Sequence, residues 1–134
     1  VDVGLLAAQS HLSPSAVIEG NRAFTEFKGA LTEQYVQQEL RATLETVPFT
    51  WAPSDSSAEI DFLIESADGI VPIEAKAERN LQAKSLGVYR EKFGPTIAVR
   101  TSLADSQEAN GLWDIPLYAL GPMCRLVLRK ESER

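Results

Sequence analysis

The stretch AEIDFLIESADGIVPIEAKA, residues 58–77, decides how this chain is read. Two β-rich runs, IDFLIE and IVPIEA, flank the turn signal Ser66-Ala67-Asp68-Gly69, which predicts a β-hairpin. With Ala67 and Asp68 at the tip, cross-strand partners have numbers that sum to 135, and Asp61 falls opposite Glu74. Side chains alternate along a strand, so Glu74 and Lys76 share one face and Val71, Ile73 and Ala75 the other. On the first strand Ala58, Ile60, Phe62 and Ile64 are expected to form one apolar face, with Asp61 on the face of Glu59 and Leu63. A slip of one residue would send Asp61 to the opposite face.

Asp61, Glu74 and Lys76 on adjacent strands make a set with recognisable chemistry. Mg²⁺ and Mn²⁺ take carboxylate, carbonyl and water oxygens. Asp61, Glu74 and the backbone carbonyl of Ala75 would supply three such oxygens, and Lys76 would orient or deprotonate an attacking water. The plainer reading is a Glu74–Lys76 ion pair on a solvated sheet face. Two charges on one face of an otherwise apolar strand cost free energy unless paired or solvated. Glu33 adds a fourth group: at 100° per residue it lies in the stripe of Val36, Leu40 and Leu44, the helix face expected to meet the sheet. Alternatively it is a rim carboxylate favoured by the helix dipole. Gln37, one turn on, is expected to hydrogen-bond in the same place.

Composition narrows the classes. At 134 residues, with 44% apolar and 24% charged residues, the chain reads as one domain spanning 1–134 with a single sizeable core. No apolar run would cross a bilayer and no secretory leader pattern occurs, so the cytoplasm is the default compartment and no membrane partner is expected. One cysteine, Cys124, rules out an internal disulfide and a cysteine zinc cluster, and the lone His11 leaves any metal to oxygen ligands. Cys124 reads as a buried small hydrophobe. Neither a P-loop nor a Rossmann glycine fingerprint is present, and His11, Ser13 and Ser15 form no triad with a nearby acid.

Net charge is −6, unevenly spread: residues 1–75 carry 3 basic against 12 acidic residues, and residues 76–134 carry 10 against 7. Chance clustering on solvated faces explains this. The functional reading assigns Lys84, Arg90, Lys92 and Arg100 to phosphate contacts beside an acidic metal site. Trp51, Trp113 and Tyr118 read as core rather than as base-stacking platforms.

Along the chain, residues 2–10 suggest a short helix or the end of a strand and a helix, and residues 11–20 a loop or broken helix. Residues 21–46 carry a helical pattern, with Val36, Leu40, Leu44 and Val47 on one face and Leu31 and Tyr35 on a second. A short strand at 49–52 precedes the hairpin. A helix is expected from about Leu81 to Phe93, stopped at Gly94-Pro95, then a buried strand at 96–101. Residues 105–111 read as a polar loop, 115–118 as extended, and 124–128 as a last strand or helix. The order α-β-β-β-α-β predicts an α/β fold whose mixed sheet has a central antiparallel hairpin flanked by helices.

The ordered set DVGLL (2–6), Gly29, Glu33, Val36, Trp51, Glu59-Ile60-Asp61-Phe62, Glu74-Ala75-Lys76, Ser85-Leu86 and Pro116-Leu117-Tyr118 covers nearly the whole chain. It resembles the C-terminal domain of unknown function that follows the AAA-type P-loop ATPase module in many bacterial and archaeal proteins. That domain is similar to the PD-(D/E)XK, or restriction-endonuclease-like, superfamily. The resemblance implies a restriction-endonuclease-like core and makes Glu33, Asp61, Glu74 and Lys76 the metal and catalytic set. It also implies an ATPase portion upstream, in keeping with a chain that starts at Val1 and reads as a fragment. Two departures stand out: Ile60 replaces the proline of the superfamily motif, and Ala52 follows Trp51 where relatives often place an arginine, removing a phosphate contact. The implied function is Mg²⁺-dependent hydrolysis of DNA phosphodiesters coupled to the ATPase. The alternatives are an inactive nuclease-fold module that docks DNA or a partner to the ATPase, and an oligomerisation domain.

Overall fold

The computed structural model describes residues 2–11, 15, 22–78 and 82–132. It is a mixed α/β fold built on one six-stranded sheet of order β1-β2-β3-β4-β6-β5. The elements are α1 (Val3–Gln9), α2 (Arg22–Leu44), β1 (Phe49–Trp51), β2 (Ile60–Ser66), β3 (Gly69–Ala75), α3 (Lys84–Phe93), β4 (Ala98–Ser102), β5 (Gln107–Ala109), β6 (Leu112–Pro116), a 3₁₀ turn (Leu117–Ala119) and α4 (Leu120–Ser132). β1, β2 and β3 are antiparallel neighbours, β3, β4 and β6 are parallel, and β5 runs antiparallel to β6. Joining the parallel strands β3 and β4 needs a crossover, and α3 is its helix. None of the described helices is long and apolar enough to cross a membrane.

The hairpin register is the one the turn signal implies. Phe62 pairs with Ile73, Leu63 with Pro72, Ile64 with Val71, Glu65 with Ile70 and Ser66 with Gly69. Gly69 takes φ 128°, and the Ser66 hydroxyl donates to the Gly69 carbonyl at 2.9 Å.

Each sheet face has its own core. On one, Val36 and Leu40 of α2 and Leu120, Cys124 and Val127 of α4 pack on Phe62, Ile64, Val71, Ile73, Val99 and Ile115. On the other, Leu86 and Tyr89 of α3 cover Ile60 and Ala98, with Trp51 and Leu63 at the edge. Burial pushes the Cys124 thiol up to about 12, in keeping with a cysteine used as a small hydrophobe.

Several boundaries differ from expectation. α2 stops at Leu44, and Glu45 turns out of the helix at φ 53°, so Val47 leaves the apolar stripe and stands exposed. α3 starts at Lys84, whereas the expected start near Leu81 lies outside the described residues. It ends as expected at Gly94, whose N–H still bonds to the Arg90 carbonyl and whose left-handed φ of 57° turns the chain out of the helix. Of the two alternatives for the final segment the structure has the helix, which begins earlier, at Leu120, and residues 115–118 divide between β6 and the 3₁₀ turn.

The polar loop expected at 105–111 instead contains β5 and a two-residue hairpin turn. Asn110 and Gly111 both have positive φ, 51° and 75°, and Ala109 pairs with Leu112 across them. That is the type I′ turn which Asn-Gly favours because both central residues must be left-handed. A Cβ on Gly111 would press on the Thr96 carbonyl oxygen. Gly111→Ala is therefore expected to lower stability by about 2 kcal/mol, measurable by urea unfolding, whereas a loss under a few tenths would show that the turn can relax.

Candidate functional site

The expected apolar alternation of β2 breaks at Asp61. Ile60 packs with Leu63 in the α3-side core, although Phe62 and Ile64 belong to the α2-side core. The cause is an irregularity in the β1–β2 ladder: Phe49 pairs with Leu63 and Trp51 with Ile60, two steps along β1 against three along β2. An extra residue of this kind bends a strand and re-aims a side chain. The expected single face of Ala58, Ile60, Phe62 and Ile64 is thus corrected, and Asp61 sits at the bend.

From there Asp61 reaches across to β3. Its Oδ2 accepts the Ala75 N–H at 2.7 Å. The next N–H, that of Lys76, donates the other way, to the Thr101 carbonyl on β4 at 2.8 Å. In a trans peptide the carbonyl points opposite the N–H, so the Ala75 carbonyl projects toward the β2 side, where Asp61 lies.

Glu74 is the most buried of the expected site residues, its side chain only 6% exposed. Oε1 lies 2.6 Å from the Lys76 ammonium. Oε2 is buried and has no hydrogen-bond partner among the described residues. An orphaned carboxylate oxygen of this sort is costly and calls for an explanation.

Electrostatics ties Glu33 and Asp61 to this pair. Desolvation pushes the Asp61 carboxyl up to about 6; the Ala75 N–H works against the shift, Glu74 and Glu33 add to it, and Lys76 opposes it. Glu33 stands exposed on α2, not within the buried stripe of Val36 and Leu40. Its carboxyl is nonetheless raised, first by desolvation and then by the like charges of Glu59 and Glu74, with Lys76 again opposing. Three expected carboxylates and one ammonium therefore share one field, joined by Glu59, which sequence reading placed near Asp61 but gave no role. As placed, no group of three or more His, Cys, Asp or Glu side chains among the described residues is gathered tightly enough to hold a metal ion.

Other expected contacts lie elsewhere. Gln37 lines an open cavity of about 440 Å³ with Asp2, Gln34, Gln38 and Arg41. Lys84 is exposed at the start of α3. Arg90 donates to the Asn110 carbonyl at 2.6 Å. Lys92 lies 5.9 Å from the Trp51 ring centre and 5.5 Å from that of Phe93. Trp51 itself meets Tyr89 and Phe93 edge-on, at 5.2 and 5.7 Å between ring centres.

Arg100 is committed to a buried carboxylate that the sequence reading overlooked. Nε and Nη2 donate to the two oxygens of Asp114 at 2.6 and 2.9 Å, and the Gln107 amide adds a bond of 2.6 Å. Burial works to raise the Asp114 carboxyl, but the hydrogen bonds from Arg100 and Gln107 and the Arg100 charge outweigh it and hold it below the ordinary range.

A family model described as DUF4143, a domain of unknown function, matches residues 28–120, well over half of the chain and the whole of the sheet. No curated protein matches the chain. No solved structure does either.

Proposed function

The chain belongs to the DUF4143 family, and from that premise we propose that it is a Mg²⁺-dependent nuclease-like domain hydrolysing DNA phosphodiesters. In this reading the fold is a restriction-endonuclease-like core, supported by the order α-β-β-β-α-β from α2 to β4 and by a sheet that turns from antiparallel to parallel at β3. In the full protein the domain works with an upstream AAA-type ATPase. The observation that carries the proposal is Glu74, buried with one oxygen unpartnered, in the shared field of Asp61, Glu33 and Lys76.

The donor set fits a hard cation. Asp61, Glu74 and the Ala75 carbonyl present oxygen only, as Mg²⁺ or Mn²⁺ prefers, and Glu33 supplies a further carboxylate from α2. When bound, such an ion neutralises phosphate charge and lowers the pKa of an attacking water. The residues do the rest. Asp61, anchored by the Ala75 N–H, holds its carboxylate in one orientation; Glu74 presents Oε2; Lys76 handles the proton of the water.

A second reading, a catalytically inactive module that docks DNA, a partner or another copy to the ATPase, is favoured by the fate of the basic residues. Arg90 and Arg100 are spent on protein oxygens, and Lys92 lies over aromatic rings. Calorimetric titration with Mg²⁺ or Mn²⁺, followed by cleavage of plasmid and single-stranded DNA, separates the two. The expected result is binding and cleavage in wild type and neither in the double variant Asp61→Ala, Glu74→Ala. Cleavage that persists in the double variant, or no metal binding by wild type even with DNA present, would overturn the nuclease proposal.

A further inference from the structure

We infer that Lys76 is the resident cation of the carboxylate cluster, and that its ammonium must leave Glu74 before a divalent ion can be held there. This deepens the metal reading above and rests on it.

The two partners differ in freedom. Glu74 is 6% exposed at the side chain, whereas Lys76 is 32% exposed at the end of β3. Glu74 is fixed and Lys76 is the member that can move. Its ammonium covers Oε1 at 2.6 Å and leaves Oε2 buried and unpartnered, so the pair uses half of what the carboxylate offers. Lys76 is also the cation whose charge opposes the shifts of both Asp61 and Glu33. It therefore stands where the fields of three carboxylates meet. As placed, the carboxylates among the described residues do not close on a metal, and the cation in contact with Glu74 is an ammonium.

There is room for the ammonium to go. Lys76 lines an open cavity of about 320 Å³ with Ala77, Glu78 and Gln82. The Glu78 carboxylate there is 66% exposed, and among the described residues its ion pair is a long one to Lys28, 3.9 Å. A four-carbon stem with three rotatable donors suits a swing from Glu74 toward Glu78. An ammonium and a divalent cation on one carboxylate repel, so the charge of Lys76 weakens metal binding at Glu74 while it stays.

The test is calorimetric titration of the whole chain with Mn²⁺, comparing wild type with Lys76→Met, which keeps an unbranched stem and removes the charge. Lys76→Met is expected to bind on the order of tenfold tighter or more. Equal or weaker binding by a folded Lys76→Met, beside a wild type that binds, would overturn this inference and leave the metal reading intact. Binding by neither protein would bring down both. A second measurement needs no variant in the binding experiment: with lysines ¹³C-dimethylated, which retains their charge, the Lys76 signal is followed through a Mg²⁺ titration. It is identified by its absence in Lys76→Arg. The signal is expected to shift as the site fills, and a stationary signal at saturation would show that the ammonium never leaves.

Discussion

Asp114→Ala is expected to lower the unfolding free energy by about 3–5 kcal/mol, a large part of the stability of a domain of this size. Asp114 and Arg100 are register partners on β6 and β4, with side chains 4% and 12% exposed. Removing the carboxylate strips a largely buried guanidinium of its bidentate partner and costs Gln107 its acceptor. That last bond ties the exposed strand β5 to the sheet, so the variant should also show faster amide exchange at Gln107–Ala109. The pair need not be a net gain over apolar packing. Replacing both members, Arg100→Met with Asp114→Leu, is expected to recover most of the loss, because the damage lies in a buried charge left behind. Denaturant unfolding followed by circular dichroism measures all three proteins. A loss under about 1 kcal/mol in Asp114→Ala would mean that the guanidinium reaches water easily and that the pair adds little.

What the sequence made legible follows the range of the forces involved. The β2–β3 hairpin is local, with a turn whose residues have distinct backbone preferences, and its register was readable to the residue. The α2 stripe was readable at Val36 and Leu40, and failed at Val47, which lies beyond the left-handed Glu45. The bend at Asp61 was hidden. Ile60, Phe62 and Ile64 alternate without a break, and the irregularity arises in pairing with β1, where Trp51 meets Ile60 nine residues on. The turn at Asn110-Gly111 was visible in principle, since Asn-Gly is the strongest short hairpin signal, yet the polar residues around it suggested a loop. The Arg100–Asp114 pair had no local signal. Its members come together only once β4 and β6 lie parallel. For the same reason composition alone groups Arg100 with Lys84, Arg90 and Lys92 as a phosphate contact, when it is one half of an internal pair.

Asp61→Asn is expected to stabilise the protein by roughly 1–2 kcal/mol at pH 7.5 and to change nothing near pH 4. The sign follows from linkage. An aspartate carboxyl titrates near ~3.9 in an unfolded chain, and here burial raises it to about 6 in the folded state. Between those values the native protein keeps a proton that the unfolded chain releases, so stability falls as pH rises through that window. Above pH 6 the destabilisation is complete; below pH 4 it is absent. Two pKa units would correspond to almost 3 kcal/mol, and solvent access to this half-buried side chain reduces that. Asparagine keeps an oxygen for the Ala75 N–H and cannot ionise, so it removes the penalty and retains the bond. Asp114 titrates with the opposite sign: its lowered carboxyl contributes stability that is present above the ordinary aspartate range and lost in acid. Thermal melts of wild type and Asp61→Asn from pH 4 to 8 isolate the Asp61 contribution, since Asp114 is common to both. Curves that stay parallel across that range would show that Asp61 is not raised. If they diverge above pH 5, adding Mg²⁺ should restore stability to wild type alone, because only the aspartate can be ionised to receive it. A carboxylate that weakens its own fold at neutral pH, and is repaid only by a cation, is what a ligand-binding group looks like in a stability measurement.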